Sequence, residues 1–310
     1  GCLSLTGDYG AIDSRAATAV VHRALELGVR LLDTADAYAA GRNEALLGRA
    51  LRGRRHGALL ATKFGWVLDE SGRPQRLDSS PDHVRQACDA SLHRLGTDHI
   101  DLYLQHRVDP GTPIEDTAGA VARLVEEGKV RHFGLSEAAP DTIRRAHRVH
   151  PVAALETEYS IWWREPEAEL LPLCTELGIV YIAYSPLGRG LLTGIAKPAS
   201  AMSADDLRRG HPRFADDHLA GNLALVARLA EVAASRGCGP GRLALAWLLA
   251  QPWQVVPIPG TRTIAHLEDN LLAREIELTP AELAAIDAAM PPGSGLGLRH
   301  PPAHQPTIDS

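Results

Sequence analysis

Short apolar runs alternate with longer segments of helical periodicity along this chain, and this alternation restricts the fold more than any other feature. Each run has four to six residues and few charged side chains. Strands that are buried on both faces of a sheet have this composition. We predict strands at 29–32, 58–62, 100–104, 130–134, 152–157, 179–183 and 255–258.

The segments between these runs carry apolar residues at helical spacing. After Pro81, for example, Val84, Cys88, Leu92 and Leu95 form one stripe, as on a helix that packs against a sheet. We predict helices at 81–95, 113–127, 166–177, 224–236 and 242–249. A repeated order of strand and then helix predicts parallel strands joined by crossover connections.

A (β/α)8 TIM barrel is the α/β architecture that best fits this pattern. A GxGxxG turn after the first strand would indicate a dinucleotide-binding Rossmann half, and the sequence has none there. The length of 310 residues matches a barrel with insertions. We therefore predict one barrel domain over residues 1–310.

Seven predicted strands are one fewer than this barrel needs. Residues 1–6 are too few for a strand and its turn, so we expect the N-terminal hairpin and most of the first strand to be absent from this chain. The strands at 29–32 and 255–258 would then lack a shared neighbour and present apolar edges. The connections at 64–80 and 186–221 are long enough to be functional loops, and we expect an irregular tail at 291–310.

Composition and charge exclude several classes of function. The sequence contains no run of about 18 apolar residues, the length that a membrane-spanning helix needs. Its net charge is −6, and it shows no basic patch that would indicate nucleic-acid binding. The cysteines are far apart without a CxxC pair, which favours reduced thiols and no metal site; they are Cys2, Cys88, Cys174 and Cys238. No signal peptide is visible at the start of the sequence, so we expect a cytoplasmic protein, compatible with a homo-oligomer.

Polar residues follow the predicted strands at the point where each run ends. The carboxyl ends of the strands of a (β/α)8 barrel share one face, and active sites are built there. The residues at these ends include Asp33, Tyr38, Lys63, His106, Ser136, Glu137, Glu156, Tyr184, Ser185, Gly260, Thr261 and Arg262.

Four of these residues suit the reduction of a carbonyl group. Tyr38 is a candidate proton donor, although a free tyrosine has a pKa near 10. A cation at Lys63 would lower that pKa, and Asp33 would keep Lys63 charged and in position. His106 would donate a hydrogen bond to the carbonyl oxygen and orient it. We predict a catalytic tetrad of Asp33, Tyr38, Lys63 and His106.

The segments around these residues resemble the aldo-keto reductase family. The resemblance extends over nearly the whole chain and rests on several motifs in combination. They are LLDTADAY at 31–38, ATKFG at 61–65, DLYLQH at 101–106, AYSPLGRGLLTG at 183–194 and PIPGTR at 257–262. The last two are similar to the bacterial and fungal branch that reduces assorted aldehydes and ketones. The resemblance implies a barrel that binds NADPH without a Rossmann domain.

The resemblance also implies a set of cofactor-binding residues. Tyr184 would stack on the nicotinamide, and Ser136 with its neighbours would hold the carboxamide. The implied contacts to the pyrophosphate, the 2′-phosphate and the adenine come from Ser185, Leu187, Arg189, Gly260, Thr261, Arg262, His266, Asp269 and Asn270.

Three positions depart from the family pattern. Glu156 replaces a glutamine that binds the carboxamide, and a carboxylate cannot donate a hydrogen bond unless it is protonated. Glu137 replaces an asparagine, and His266 replaces an arginine that binds the 2′-phosphate. Arg262 is then the remaining phosphate ligand.

The function predicted from these features is the NADPH-dependent reduction of a small aldehyde or ketone, with Tyr38 as general acid. Trp66 is a candidate for the substrate pocket. Two alternatives stay open: a non-catalytic nicotinamide-binding subunit of the same fold, and a barrel aldolase that forms a Schiff base through Lys63.

Overall fold

Seven parallel strands form one curled sheet in the computed structural model, which describes residues 1–7, 9–10, 12–204, 206–302 and 307–309. The strands pair in chain order, as successive strand-helix units require. In that order they are β1 (Leu31–Asp33), β2 (Leu59–Phe64), β5 (Ile100–Gln105), β6 (Val130–Ser136), β7 (Val152–Glu158), β8 (Val180–Tyr184) and β9 (Val255–Pro257). All seven predicted strands are thus confirmed, with ends that differ by one or two residues.

Ten α-helices lie in the described residues, and most of them connect these strands. They are α1 (Ser14–Glu26), α2 (Arg42–Ala50), α3 (Pro81–Leu95), α4 (Ile114–Glu126), α5 (Pro140–Val149), α6 (Leu170–Leu177), α7 (Asp216–Ser235), α8 (Pro240–Leu249), α9 (Ile264–Leu271) and α10 (Pro280–Ala289). Local chemistry explains several of their ends. The Ser80 side chain caps α3 before Pro81, and Gly96 ends that helix in the left-handed region.

The strands bury alternate residues on the two faces of the sheet. The inner face contributes a small cluster that contains Ala61, Leu102, Leu104, Ala154 and Ile182. Their chain neighbours, such as Leu60, Tyr103 and Leu155, belong to the larger core between the sheet and the helices. This two-sided burial explains why the strands are apolar throughout.

Two regions differ from the sequence-based prediction. The connection at 64–80 contains a β-hairpin, β3 (Trp66–Leu68) and β4 (Pro74–Leu77). It was not predicted as strand because its second arm is largely exposed and reads as polar. Helix α7 begins at Asp216, eight residues before the predicted start, because acidic residues fill its first turn and mask the apolar stripe.

The sheet is open between its two edge strands, β1 and β9. The expectation that these edges lack a shared neighbour is wrong at their carboxyl ends. There the backbone N–H of Cys2 donates to Asp33 O at 2.8 Å, and Gly1 lies so close to Ile258 that a Cβ on it would be 2.8 Å from the Ile258 carbonyl oxygen. Away from these carboxyl ends the edge of the sheet stays partly accessible to solvent, and Val256 on β9 is 36% exposed.

None of the helices in the described residues is both long and apolar enough to span a membrane.

Candidate active site

The four predicted catalytic residues converge at the carboxyl end of the first strands. Asp33 ends β1, Lys63 lies on the neighbouring strand β2, and His106 directly follows β5. Tyr38 lies on the turn after β1. The Lys63 Nζ donates to Asp33 Oδ1 at 2.5 Å and to the Tyr38 hydroxyl at 3.5 Å, and the rings of Tyr38 and His106 meet edge to face with centroids 5.8 Å apart. The convergence that the strand-end pattern predicts is therefore present.

Lys63 is buried, yet its surroundings hold it as a cation. Burial opposes the charge, but the carboxylates of Asp33 and Glu156 outweigh it and raise the pKa of Lys63 well above its ordinary value. The Lys63 Nζ is 3.2 Å from Glu156 Oε1 and also donates to the Thr34 carbonyl at 2.9 Å. The ammonium group is thus fixed by groups on three sides.

Tyr38 has a raised pKa in this structure. Burial is the largest cause, and the Lys63 cation only partly offsets it. The expectation that Lys63 brings the pKa of Tyr38 below its free value is therefore wrong for the net effect, although the lysine acts in the predicted direction. The physical reason is that burial disfavours the charged phenolate more than the nearby cation stabilises it.

His106 is a neutral imidazole in this environment. Burial, together with the cations of Arg107 and Lys63, lowers the pKa of His106 well below its usual value. Its backbone N–H donates to Phe64 O at 2.8 Å, whereas its ring Nδ1 is buried without a hydrogen-bond partner among the described residues. A neutral ring in this position can donate one hydrogen bond and accept another.

The carboxyl group of Glu156 lies in surroundings that disfavour its charged form. Burial and the adjacent Asp33 carboxylate raise the pKa of Glu156 to about 8, against the opposing effect of Lys63. Its second oxygen, Oε2, is buried and has no hydrogen-bond partner in the described part of the chain. In its protonated form this carboxyl group can donate a hydrogen bond, as the amide of a glutamine does.

The residues predicted to form the nicotinamide shelf lie at the ends of β6 and β8. Ser136 and Glu137 are buried, and Glu137 has a φ of 53°. The Tyr184 hydroxyl accepts a hydrogen bond from Arg299 at 3.2 Å and is 3.2 Å from the His300 ring. Arg299 also forms an ion pair with Glu137. The C-terminal tail therefore reaches the same side chains that the resemblance assigns to the cofactor.

The segment after β8 has a strained backbone. Ser185 and Arg189 have φ values of 48° and 59°, in the left-handed region that residues other than glycine rarely adopt. Each such residue costs about 1–3 kcal/mol, and these conformations cluster at ligand sites. Arg189 donates to the Tyr9 hydroxyl at 3.2 Å, while Leu187 packs against α8.

The residues predicted to bind the adenosine end lie after β9 and on α9. Arg262 is half-buried and donates to Gly10 O at 3.1 Å. His266 is exposed in the first turn of α9, where its backbone N–H is capped by Thr263. The remaining members are Gly260 beside Gly1, Thr261 before the helix, Asp269 in an ion pair with Arg242, and Asn270 on the same helix.

Trp66 lies on the hairpin strand β3, directly after the strand that carries Lys63, and is half-buried. Its role in a substrate pocket stays a prediction. Residues that sequence reasoning missed are Tyr9, Arg107, Arg208, Arg299 and His300, which contact predicted site residues, and Arg213, which pairs with Glu158 at the end of β7. Arg107 directly follows His106 in the sequence, whereas long-range folding brings the others to the site, so no local pattern marks them.

Comparisons with known proteins agree with this geometry. The sequence profile of the Aldo/keto reductase family matches residues 1–291. The chain is 43% identical over 302 residues to a soybean (Glycine max) protein described as probable aldo-keto reductase 1, with 97% of this chain and 87% of that protein covered.

Solved structures of bacterial proteins are also similar. A glycerol dehydrogenase from Gluconobacter oxydans has a TM-score of 0.82 and 31% identity, with 92% of this chain and 88% of that chain covered. The holo form of an aldo-keto reductase from Bacillus halodurans has a TM-score of 0.78 and 31% identity, with coverage of 97% and 93%. An aldo/keto reductase from Klebsiella pneumoniae in complex with NADP and acetate has a TM-score of 0.73 and 28% identity, with coverage of 95% and 91%.

The tetrad at the strand ends, the seven parallel strands of a (β/α)8-type barrel and the family match over residues 1–291 lead to one conclusion. The chain belongs to the aldo/keto reductase family of oxidoreductases.

Proposed function

We propose that this protein reduces an aldehyde or ketone to an alcohol, with NADPH as the hydride donor and Tyr38 as the proton donor. One observation carries the proposal: the Tyr38 hydroxyl is 3.5 Å from a lysine ammonium that is itself bonded to Asp33. Support also comes from family membership and from the Klebsiella pneumoniae relatives, whose structures contain NADP or NADPH.

The residues present fit a nicotinamide cofactor. Glu156 Oε2 is a buried polar atom without a partner in the described residues, and Glu137, Ser185 and Arg189 have the strained backbone that ligand sites favour. The nicotinamide end would be held by Ser136, Glu137, Glu156 and Tyr184, and the rest of the molecule by Ser185, Leu187, Arg189, Gly260, Thr261, Arg262, His266, Asp269 and Asn270.

NADPH supplies, when bound, a hydride from C4 of its nicotinamide ring. The protein's part is to orient the carbonyl group and to deliver a proton to its oxygen. His106, which is neutral, donates a hydrogen bond to that oxygen and fixes its direction. Tyr38 keeps its proton at neutral pH, because burial raises its pKa, and gives the proton up as negative charge develops on the oxygen.

Lys63 stabilises the phenolate that remains on Tyr38 after this transfer. A cation close to a buried anion is worth more than in water, because the site has a low dielectric constant. Asp33 and Glu156 keep the lysine charged and in place. Its buried cation argues against the Schiff-base aldolase alternative, since a nucleophilic lysine must be neutral.

A Tyr38→Phe variant tests the role of the tyrosine. We expect it to bind NADPH with little change in affinity and to lose about 10²–10⁴-fold in turnover, the usual contribution of general acid catalysis. The measurements are NADPH consumption with a panel of aldehydes and ketones, and fluorescence titration with NADPH. Wild-type turnover in the variant would remove Tyr38 from the mechanism, and a wild-type protein that binds NADPH but reduces no carbonyl would favour the non-catalytic alternative.

A further inference from the structure

Several arginine side chains lie close together near the carboxyl ends of β7 and β8. Arg213 and Arg299 lie on Trp163, with guanidinium carbons 5.7 and 5.3 Å from the indole ring. We call these two arginines, together with Arg107 and Arg189, the cationic layer. Burial and the positive charges of all four arginines lower the pKa of His300.

Two buried carboxylates neutralise only part of this charge. Glu158 accepts from Arg213 Nη1 at 2.5 Å and lies 3.2 Å from Arg299 Nε, and Glu137 pairs with Arg299. Asp309 is a further carboxylate, which accepts from the backbone N–H of Ala139. Among the described residues, the four guanidinium groups therefore outnumber these three carboxylates by one.

Several donors in this region have no acceptor in the described residues. Nε and Nη2 of Arg213 are buried without a hydrogen-bond partner, and so are both ring nitrogens of His211. Both side chains are almost fully removed from solvent. Burial and the nearby arginines lower the pKa of His211 to about 3, so its neutral ring offers one N–H. Buried donors without acceptors are costly unless a ligand or an ordered water supplies the acceptor.

The cationic layer adjoins the catalytic residues. Arg107 Nη1 donates to the carbonyl oxygen of His106 at 2.6 Å and is 3.4 Å from Ser136 Oγ. At the other end, Arg299 donates to the Tyr184 hydroxyl. Arg107 therefore places the cationic layer next to the backbone of His106, and Arg299 places it next to Tyr184.

We propose that Arg213 and His211, supported by Arg299, bind an anionic group, a carboxylate or a phosphate, at the end of the substrate remote from its carbonyl. This inference rests on the proposed carbonyl reduction. It makes the preferred substrate an aldehyde or ketone that carries a negative charge, for which guanidinium donors are suited.

The test compares 4-carboxybenzaldehyde with its neutral isostere 4-formylbenzamide. We expect wild-type kcat/KM to favour the carboxylate by at least about tenfold, the size of one charge-assisted hydrogen bond. In Arg213→Gln, which keeps a donor for Glu158, the ratio of the two kcat/KM values should fall about tenfold. Arg144→Gln, at an exposed ion pair with Glu176, is the matched control and should keep the ratio.

The cofactor pyrophosphate shares this ligand chemistry, so NADPH affinity is measured in parallel. If Arg213→Gln weakens NADPH binding tenfold and keeps the substrate ratio, the arginine belongs to the cofactor site and the proposal is wrong. His211→Phe provides a second variant in case the first does not fold, with the same expected loss of ratio.

A binding arm separates this inference from the proposed function. Calorimetric titration of the cofactor-free protein with 4-(hydroxymethyl)benzoate should give a signal that its benzamide analogue does not give and that Arg213→Gln loses. Equal binding of the two compounds, or carboxylate binding that survives the substitution, would overturn the proposal even if neither aldehyde is reduced.

Discussion

Lys63 connects the acid chemistry of Tyr38 to the stability of the barrel. The ammonium group of Lys63 is buried between the carboxyl groups of Asp33 and Glu156. The same cation therefore supports catalysis and compensates two carboxyl groups inside the protein. A substitution of the lysine must therefore change stability and turnover together, and the two effects need separate measurements.

We predict that Lys63→Met loses most turnover and also loses about 3–5 kcal/mol of unfolding free energy, because it leaves the Asp33 carboxylate buried without its cation. The double variant Asp33→Asn/Lys63→Met removes both charges. It should recover most of the stability in urea unfolding but none of the turnover. Recovery of turnover in the double variant would show that the lysine acts only through the fold.

The raised pKa of Glu156 predicts that the affinity for NADPH depends on pH. Its pKa is raised to about 8, so the carboxyl group is protonated below that pH and loses its donor above it. If only the protonated form binds, the Kd for NADPH rises about tenfold by pH 9, because about a tenth of the protein remains competent.

The variant Glu156→Gln should have the same NADPH affinity at pH 7 and at pH 9, since an amide keeps its donor at both. Fluorescence titration measures this without turnover. Glu176→Gln, on an exposed ion pair, serves as control and should keep the wild-type pH dependence. A Glu156→Gln protein whose affinity falls as steeply as that of the wild type would remove Glu156 from this role.

At the scale of elements, the strands could be predicted because both of their faces are buried. Leu60 faces the helices and Ala61 the barrel interior, so the run reads as continuously apolar. The tetrad could be predicted for a related reason: parallel strands end on one face. The hairpin β3–β4 and the start of α7 could not, because exposed and acidic residues there hide the periodicity.

The tail illustrates what local sequence cannot supply. Residues 291–302 have no helical or alternating pattern, yet Arg299 and His300 meet Tyr184 some 115 residues away in the chain. Contacts between residues so distant in sequence depend on how the whole barrel closes around the site. The raised pKa of Glu156 is similar, since it follows from burial beside Asp33.

The loop after β9 contains the residue that we expect to set the preference for NADPH over NADH. Arg262 is held beside Gly10, and a guanidinium group binds a 2′-phosphate through charge-assisted hydrogen bonds worth about 1.5–3 kcal/mol. Arg262→Ala should therefore raise the Kd for NADPH roughly 10- to 100-fold while leaving that for NADH nearly unchanged. Arg274→Ala, an exposed arginine on the turn after α9, is the control. Equal losses for both cofactors would contradict this role.

For the whole molecule, the seam between β1 and β9 determines how well the barrel closes. Gly1 and Cys2 bridge only the carboxyl ends of these strands. Along the rest of the seam the backbone edges of β1 and β9 are not paired with each other, and Val256 on β9 is 36% exposed. An unpaired apolar edge favours association with another strand.

We predict that a polypeptide of residues 1–310 is stabilised when a hairpin and a strand are added before Gly1. Each backbone group that gains a partner in the seam contributes about 0.5–1.5 kcal/mol, and in a domain of this size 1 kcal/mol shifts the melting temperature by about 2–4 °C. The melting temperature of the extended protein should therefore be higher by several degrees or more. The matched control carries prolines in the added strand, which cannot donate to the ladder. If both extended proteins melt at the temperature of residues 1–310, the seam is not limiting, and the bridge formed by Gly1 and Cys2 is sufficient to close the barrel.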